Sequence, residues 1–229
     1  MSYPDNPDQV ILKNKFYSKG VKEIDIWNYY QSYKGPMLNE TRGRELMFAI
    51  MTDINKPIIR RKTKDGKFIQ LTNSNYDKII TGRSVAIYST MKQYENIAIV
   101  DIDINNFNKA KRAAIDIYDV MMKFPIANGV SCRYTGKDAF HIVCTLGRNI
   151  RTDSIRLMLQ QHLENNTTGN YTIKGRRTSG IVNLDLSPNK FRGAFITLNS
   201  LSILGLRCIE IPYERISSFN QSASKIKIS

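Results

Sequence analysis

Between residues 97 and 186 the chain alternates strand-like and helix-like patterns in a fixed order, and this order restricts its architecture more than any other feature. An apolar run, Ile97-Ala98-Ile99-Val100, opens a strand expected over residues 97–104. Residues 108–124 predict a helix: Ala110, Ala113, Ala114, Ile117, Met121 and Phe124 recur on one face, and Pro125 stops it. Residues 129–134 and 139–145 predict two strands joined at Thr135-Gly136-Lys137-Asp138. Residues 152–164 predict a second helix, capped by Thr152 or Asp153, with Ile155, Leu159 and Leu163 inward. A polar loop over 165–170 follows. Residues 171–173 and 180–186 then predict strands around the basic turn Lys174-Gly175-Arg176-Arg177.

A β-α-β-β-α-β order belongs to the α+β class and is that of a ferredoxin-like or RRM-like sandwich. Both helices are expected to bury their apolar faces on one side of the sheet. The other side carries acids. Asp101-Ile102-Asp103 closes the first strand, and carboxylates at i and i+2 point to one face. Carboxylates so close repel one another unless a divalent cation sits between them. Asp185 ends a second apolar run, Ile181-Val182-Asn183-Leu184. Two-metal phosphoryl transfer uses shared carboxylates of this kind; an Asp-x-Asp also occurs in sugar-nucleotide transferases and phosphatases. His141 sits in an apolar strand, Phe140-His141-Ile142-Val143, where a core role is the simpler reading. Thr135-Gly136-Lys137 just ahead favours another: hydroxyl, ammonium and imidazole gripping a triphosphate, with Gly136 letting the backbone approach an anion. Arg192, seven residues after Asp185, is either a bidentate phosphate ligand for the same site or a surface loop arginine.

Lys and Arg number 34 against 20 acids, a formal charge of +14, which points to a polyanionic partner. Six bases lie between Lys56 and Lys67 (Lys56, Arg60, Arg61, Lys62, Lys64, Lys67). Strands expected over 46–50 and 57–61, with 67–71 pairing after a turn at Asp65-Gly66, make this a basic β-hairpin, either a phosphate-backbone contact or a solvated surface. A short helix is expected over 24–33. Residues 1–89 read as an N-terminal mixed α/β module, 90–216 as the core with the metal site and 217–229 as a fraying tail, together one catalytic domain. Cys132, Cys144 and Cys208 have no metal-ligand spacing and read as reduced thiols; with only His141 and His162 besides, they argue against structural zinc. Residues 1–10 are polar and carry Pro4 and Pro7, unlike a secretory signal, and no apolar run approaches the ~18 residues of a membrane span.

The ordered set Asp101-x-Asp103, Thr135-Gly136-Lys137-x-x-x-His141 and Leu184-Asp185 resembles the three motifs of the archaeo-eukaryotic primase superfamily. The segment beyond continues the resemblance through Arg192-Gly193-Ala194-Phe195, Asn199-Ser200-Leu201 and Ile211-Pro212. Earlier, Tyr29-Tyr30, Gly43-Arg44-Glu45-Leu46, Ile59-Arg60-Arg61-Lys62 and Gly66-Lys67-Phe68 are similar to the opening of the polymerase domains attached to end-joining DNA ligases, which have stand-alone relatives. Thr135 stands where the family has Ser. The basic residue at Lys137 sits one place earlier than in the ligase-linked domains. Ser202 replaces a frequent His or Arg, a role Arg207 is placed to fill. The Cys/His zinc knuckle of cellular primase subunits is absent.

The resemblance implies an archaeo-eukaryotic primase fold and a template-dependent nucleotidyltransferase using two divalent ions, Mn²⁺ or Mg²⁺, with NTP or dNTP substrates. It implies Asp101, Asp103 and Asp185 as metal ligands and Thr135, Gly136, Lys137, His141, Arg192 and Ser200 around the nucleotide. Arg60, Arg61, Lys62, Arg176 and Arg177 are expected against the DNA template or primer. A cytoplasmic place is expected, at a nucleoid or a site of viral or plasmid replication, with no membrane partner and with helicase or ligase recruited in trans or pre-made primers used. The alternative from another class is a non-catalytic RRM-like nucleic-acid binder. That reading calls for stacking aromatics on the sheet face, where carboxylates stand instead. A sugar-nucleotide glycosyltransferase leaves the basic excess and the Thr135, His141 and Asp185 elements without a role.

Overall fold

The structure, a computed structural model, describes residues 21–51, 57–136, 139–168, 171–173 and 181–226. In chain order its elements begin with α1 (Glu23–Ser32), α2 (Lys34–Glu40), β1 (Leu46–Met51), β2 (Pro57–Arg60), α3 (Tyr76–Ile79) and β3 (Ser84–Thr90). They continue with β4 (Tyr94–Asp103), α4 (Phe107–Met122), β5 (Ala127–Tyr134), β6 (Phe140–Arg151) and α5 (Thr152–Asn166). The last are β7 (Tyr171–Thr172), β8 (Val182–Asp185), β9 (Ala194–Ile196) and β10 (Ile209–Ile211). The fold is mixed α+β with two sheets. The chain divides into one unit of Met1–Ser89, Phe195–Cys208 and Gln221–Ser229 and a second of Thr90–Ala194 and Ile209–Asn220.

In the second unit the strand order is β10-β5-β6-β4-β8-β7. The pairings are antiparallel except that of β7 with β8. Side chains alternate across the pleat, so Ala98, Val100 and Ile102 of β4 share a face with Phe140, Ile142 and Cys144 of β6 and with Leu184 of β8, all fully buried. Helix α4 covers this face with Ala110, Ala113, Ala114, Ile117 and Met121. Its Phe107 ring stacks on Phe140 with centroids 5.9 Å apart. Helix α5 lies beside α4: the His162 ring is 5.1 Å from Phe124, and its Nε2 is 2.9 Å from the Val120 carbonyl. Both helices therefore occupy one side, and Asp101 and Asp103 point to the other.

Local chemistry sets the helix ends. Asn106 caps α4 by accepting a hydrogen bond from the Lys109 amide at 2.9 Å. The cap expected at the start of α5 does not form. Thr152 is instead the first helical residue, and its amide and hydroxyl both donate to the Gln93 carbonyl, at 3.1 and 3.4 Å. The three cysteines are free and buried. Burial pushes the Cys132 thiol up to about 12 and the Cys144 thiol up to about 11, so both stay protonated and serve packing.

In the first unit the sheet order is β2-β1-β3-β9. Ile26 and Tyr30 of α1, Met37 of α2, Phe48 of β1, Tyr76 of α3 and Ile87 of β3 pack into one core. The Tyr76 hydroxyl donates to the Tyr30 carbonyl at 2.8 Å, and the Tyr30 hydroxyl accepts the Leu201 amide at 3.1 Å. The expected basic hairpin is held by isolated bridges rather than a full ladder: Lys62 pairs with Phe68 and Leu46 with Ile69, and Gly66 takes a left-handed φ of 78° at the turn. In the tail expected to fray, Phe219 packs on Tyr134 with centroids 5.0 Å apart, while Ser224 and Ile226 are buried. Isolated apolar residues in a Ser/Lys-rich stretch find their pockets there. Among the described residues no helix is long and apolar enough to cross a membrane.

Candidate active site

Register, rather than sequence proximity, assembles the site. Asp101 of β4 lies directly opposite His141 on one neighbouring strand and directly opposite Asp185 on the other. Asp103, two residues on, faces Asn183 of β8. In-register partners on antiparallel strands share a face, with Cβ atoms about 4.5–5.5 Å apart. The three acids and His141 thus stand together on the face that the helices leave open. His141 Nε2 is 3.4 Å from Asp101 Oδ1, with the His141 side chain 7% exposed and that of Asp101 27%. The other ring nitrogen, Nδ1, is buried and has no hydrogen-bond partner among the described residues.

Asp185 and Asp101 each have a partner of their own. Asp185 accepts the Ser187 amide on Oδ1 and the Ser187 hydroxyl on Oδ2, both at 2.7 Å, which turns the chain away from the strand end. Asp101 is turned toward His141 and Asp185 toward Ser187. Accordingly, no three His, Cys, Asp or Glu side chains among the described residues converge on one point as they stand. The donor set nevertheless suits a hard divalent ion: each of the three candidate donors is a carboxylate, and two of them are direct cross-strand partners.

The loop after Asp185 is fastened to β4. Asn189 is fully buried, and its amide pairs with both backbone groups of Ile99: Oδ1 accepts the Ile99 amide at 2.8 Å and Nδ2 donates to its carbonyl at 2.5 Å. It takes the place of a strand residue where β8 has ended. Farther on, Arg192 has a left-handed φ of 60°, a conformation that costs a non-glycine residue roughly 1–3 kcal/mol. Hydrogen bonds on both sides hold it there: the Arg192 amide donates to Met91 at 2.9 Å, and the Met91 amide donates to Gly193 at 2.8 Å. The Arg192 guanidinium lies 4.8 Å over the Phe191 ring, which is half exposed. Gly193 is required here because a Cβ would run into the backbone of Ser187 and Pro188.

Other expected site residues lie as follows. Thr135 directly follows β5, and its hydroxyl donates to the Ala139 carbonyl at 3.0 Å. Gly136 has a φ of 86°. Lys137, Arg176 and Arg177 lie outside the described residues. Ser200 belongs to the first unit, fully buried, and its oxygen accepts the Ile87 amide and donates to Leu201, both at 2.7 Å. Its hydroxyl has a structural task, as an internal clamp between two segments of that unit. Arg60, Arg61 and Lys62 are exposed on and just after the edge strand β2. Lys62 Nζ lies 5.0 Å over the Phe68 ring. Sequence reasoning missed Ser187 and Asn189, although the Asx-turn pattern Asp185-x-Ser187 was there to be read, and it missed Arg133, in register with His141.

No protein-family model matches the sequence, and no curated protein matches it. Among solved structures the chain is similar to the polymerase domain from Mycobacterium tuberculosis Ligase D in complex with DNA, with a TM-score of 0.77 over 94% of this chain and 88% of that one. Sequence identity is 11%, so what the two share is the fold. This agrees with the resemblance to ligase-linked polymerase domains read from the sequence.

Proposed function

We propose that the chain is a template-dependent nucleotidyltransferase of the primase-polymerase type, adding nucleotides to a nucleic-acid 3′-hydroxyl. The observation that carries this reading is the placement of His141, Asp101 and Asp185 side by side on three neighbouring strands, in a fold shared with a DNA-bound polymerase domain. We read β5-β6-β4-β8 with α4 and α5 as the ferredoxin-like core. A binder of the RRM type uses aromatics on its sheet face, and this face presents acids and a histidine.

In this reading Asp101, Asp103 and Asp185 hold two divalent ions, Mg²⁺ or Mn²⁺, which when bound neutralise phosphate charge and make the attacking hydroxyl more acidic. The carboxylates need only side-chain rotation to meet, because their backbones are already in register. Ser187 fixes the orientation of Asp185. His141 offers its unpartnered Nδ1 to a phosphate oxygen, and Thr135, Gly136, Lys137 and Arg192 complete the triphosphate contacts. The 3′-oxygen bonds to the α-phosphorus as the bond to pyrophosphate breaks, and the hydroxyl proton leaves to solvent. Arg60, Arg61, Lys62, Arg176 and Arg177 neutralise phosphates of the template or primer.

Synthesis from a labelled primer-template and from an unprimed single strand, in Mn²⁺ and with both nucleotide types, tests the reading. Extension or de novo product is expected; silence on both substrates contradicts it. A second expectation concerns salt. Replacing Arg60, Arg61 and Lys62 by Ser weakens DNA binding and flattens the dependence of log affinity on log salt by about 1 for each phosphate that is no longer neutralised. An unchanged slope removes the hairpin from the DNA surface.

A further inference from the structure

The row that joins Asp185, Asp101 and His141 does not stop at His141. On the next strand Arg133 stands in register opposite His141, and on the one beyond Glu210 stands in register opposite Arg133. Five residues on five consecutive strands therefore share one line across the open face. Four of the five are ordered by charge along it, and the acid Glu210 closes the row beyond Arg133. The carboxylates of Asp185 and Asp101 lie at the β8 and β4 end, and the imidazole of His141 and the guanidinium of Arg133 follow on β6 and β5. Strands are spaced about 4.8 Å apart, so Arg133 is one step beyond His141 and about 10 Å from Asp101, within reach of a long side chain. Arg133 is half-buried, which weakens solvent screening of its charge.

Resting on the nucleotidyltransferase reading above, we infer that Arg133 is a further triphosphate-binding residue, and that the nucleotide's phosphate chain runs across the strands from the acids over His141 toward β5. A polyphosphate carries its charge along its length, and a guanidinium binds two of its oxygens at once. The order of the four residues from Asp185 to Arg133 matches such a ligand: a cation-binding end beside the reacting phosphate and a guanidinium beneath the terminal one, with Glu210 on the far side of Arg133. The simpler role for Arg133 is a cross-strand charge pair with Glu210 alone.

Binding of inorganic tripolyphosphate and of a nucleoside triphosphate, followed by calorimetry with Mn²⁺ present, separates these roles without relying on turnover. Arg133→Gln is expected to weaken both ligands roughly 10- to 100-fold, and Arg133→Lys to recover part of the loss. Glu210→Gln is expected to leave both affinities intact, and single-stranded DNA binding is expected to change little in Arg133→Gln. Thermal melts confirm that each variant is folded. Equal triphosphate affinity in wild type and Arg133→Gln overturns the inference, as does a loss confined to DNA. If wild type extends primers while Arg133→Gln binds triphosphate normally, this inference alone fails. If wild type neither binds triphosphate nor extends primers, the reading of the site fails and takes the inference with it.

Discussion

Asp101→Asn is expected to lower nucleotide addition by at least about 10³-fold while changing folding stability by no more than about 1 kcal/mol. The two parts of this expectation have different origins. Asp101 is the only acid of the site that is a direct neighbour of both His141 and Asp185, and Asp103 lies two residues along the same strand face. In the proposed function Asp101 is the shared metal ligand, so removing its charge is expected to remove several kcal/mol of transition-state stabilisation. For stability, two opposing changes nearly cancel. The variant weakens the polar contact with His141 at 3.4 Å but relieves repulsion between like charges on paired strands. Single-turnover extension and a thermal melt in metal-free buffer measure the two parts. Activity within tenfold of wild type removes Asp101 from the chemistry, and collapse of the fold makes it a structural residue.

Asn189→Ala is expected to cost about 2–5 kcal/mol of stability, mostly within the second unit. Ile99 is fully buried in β4, and its amide and carbonyl are both satisfied by one side chain from ninety residues away. The truncation strands both groups, each worth about 1–3 kcal/mol when left unmet. The Asn189 amide also donates to the Leu186 carbonyl at 3.3 Å, so the loop that follows Asp185 loses its fastening too. The readout is specific: protection of the Ile99 amide from hydrogen exchange falls, together with the urea midpoint. Exposed Lys190, changed to Ala, serves as the control. A destabilisation below about 1 kcal/mol, with Ile99 still protected, contradicts this role.

What the sequence revealed and what it hid follow from the range of the interactions. Helix α4 was legible because alanines, Ile117 and Met121 repeat at helical spacing, and β4 because its apolar run ends on a same-face acid pair. Strand β3 was not, since Ser84, Ser89 and Thr90 interrupt its apolar pattern although all are buried. Helix α2 contains Gly35-Pro36, which reads as a turn; Pro36 sits in the first turn, where its missing amide costs no helical bond. Strands β9 and β10 have three residues each, too few for any periodicity. At the site, the motif residues announced chemistry, but their adjacency is a matter of register. Nothing local pairs Arg133 with His141; the hairpin closing at Thr135 and Ala139 sets that match. Ser200 shows the converse, a hydroxyl in a suggestive motif whose hydrogen bonds are both spent inside the first unit.

The most direct measurement offers single nucleotides, one type at a time, to the protein with Mn²⁺ and four primer-templates that differ only in the first templating base. Each template is expected to select its complementary nucleotide, with one residue added to the 3′-hydroxyl by wild type and none by Asp101→Asn. Addition that ignores the template, or no addition by a folded wild-type protein that still binds DNA, contradicts this expectation.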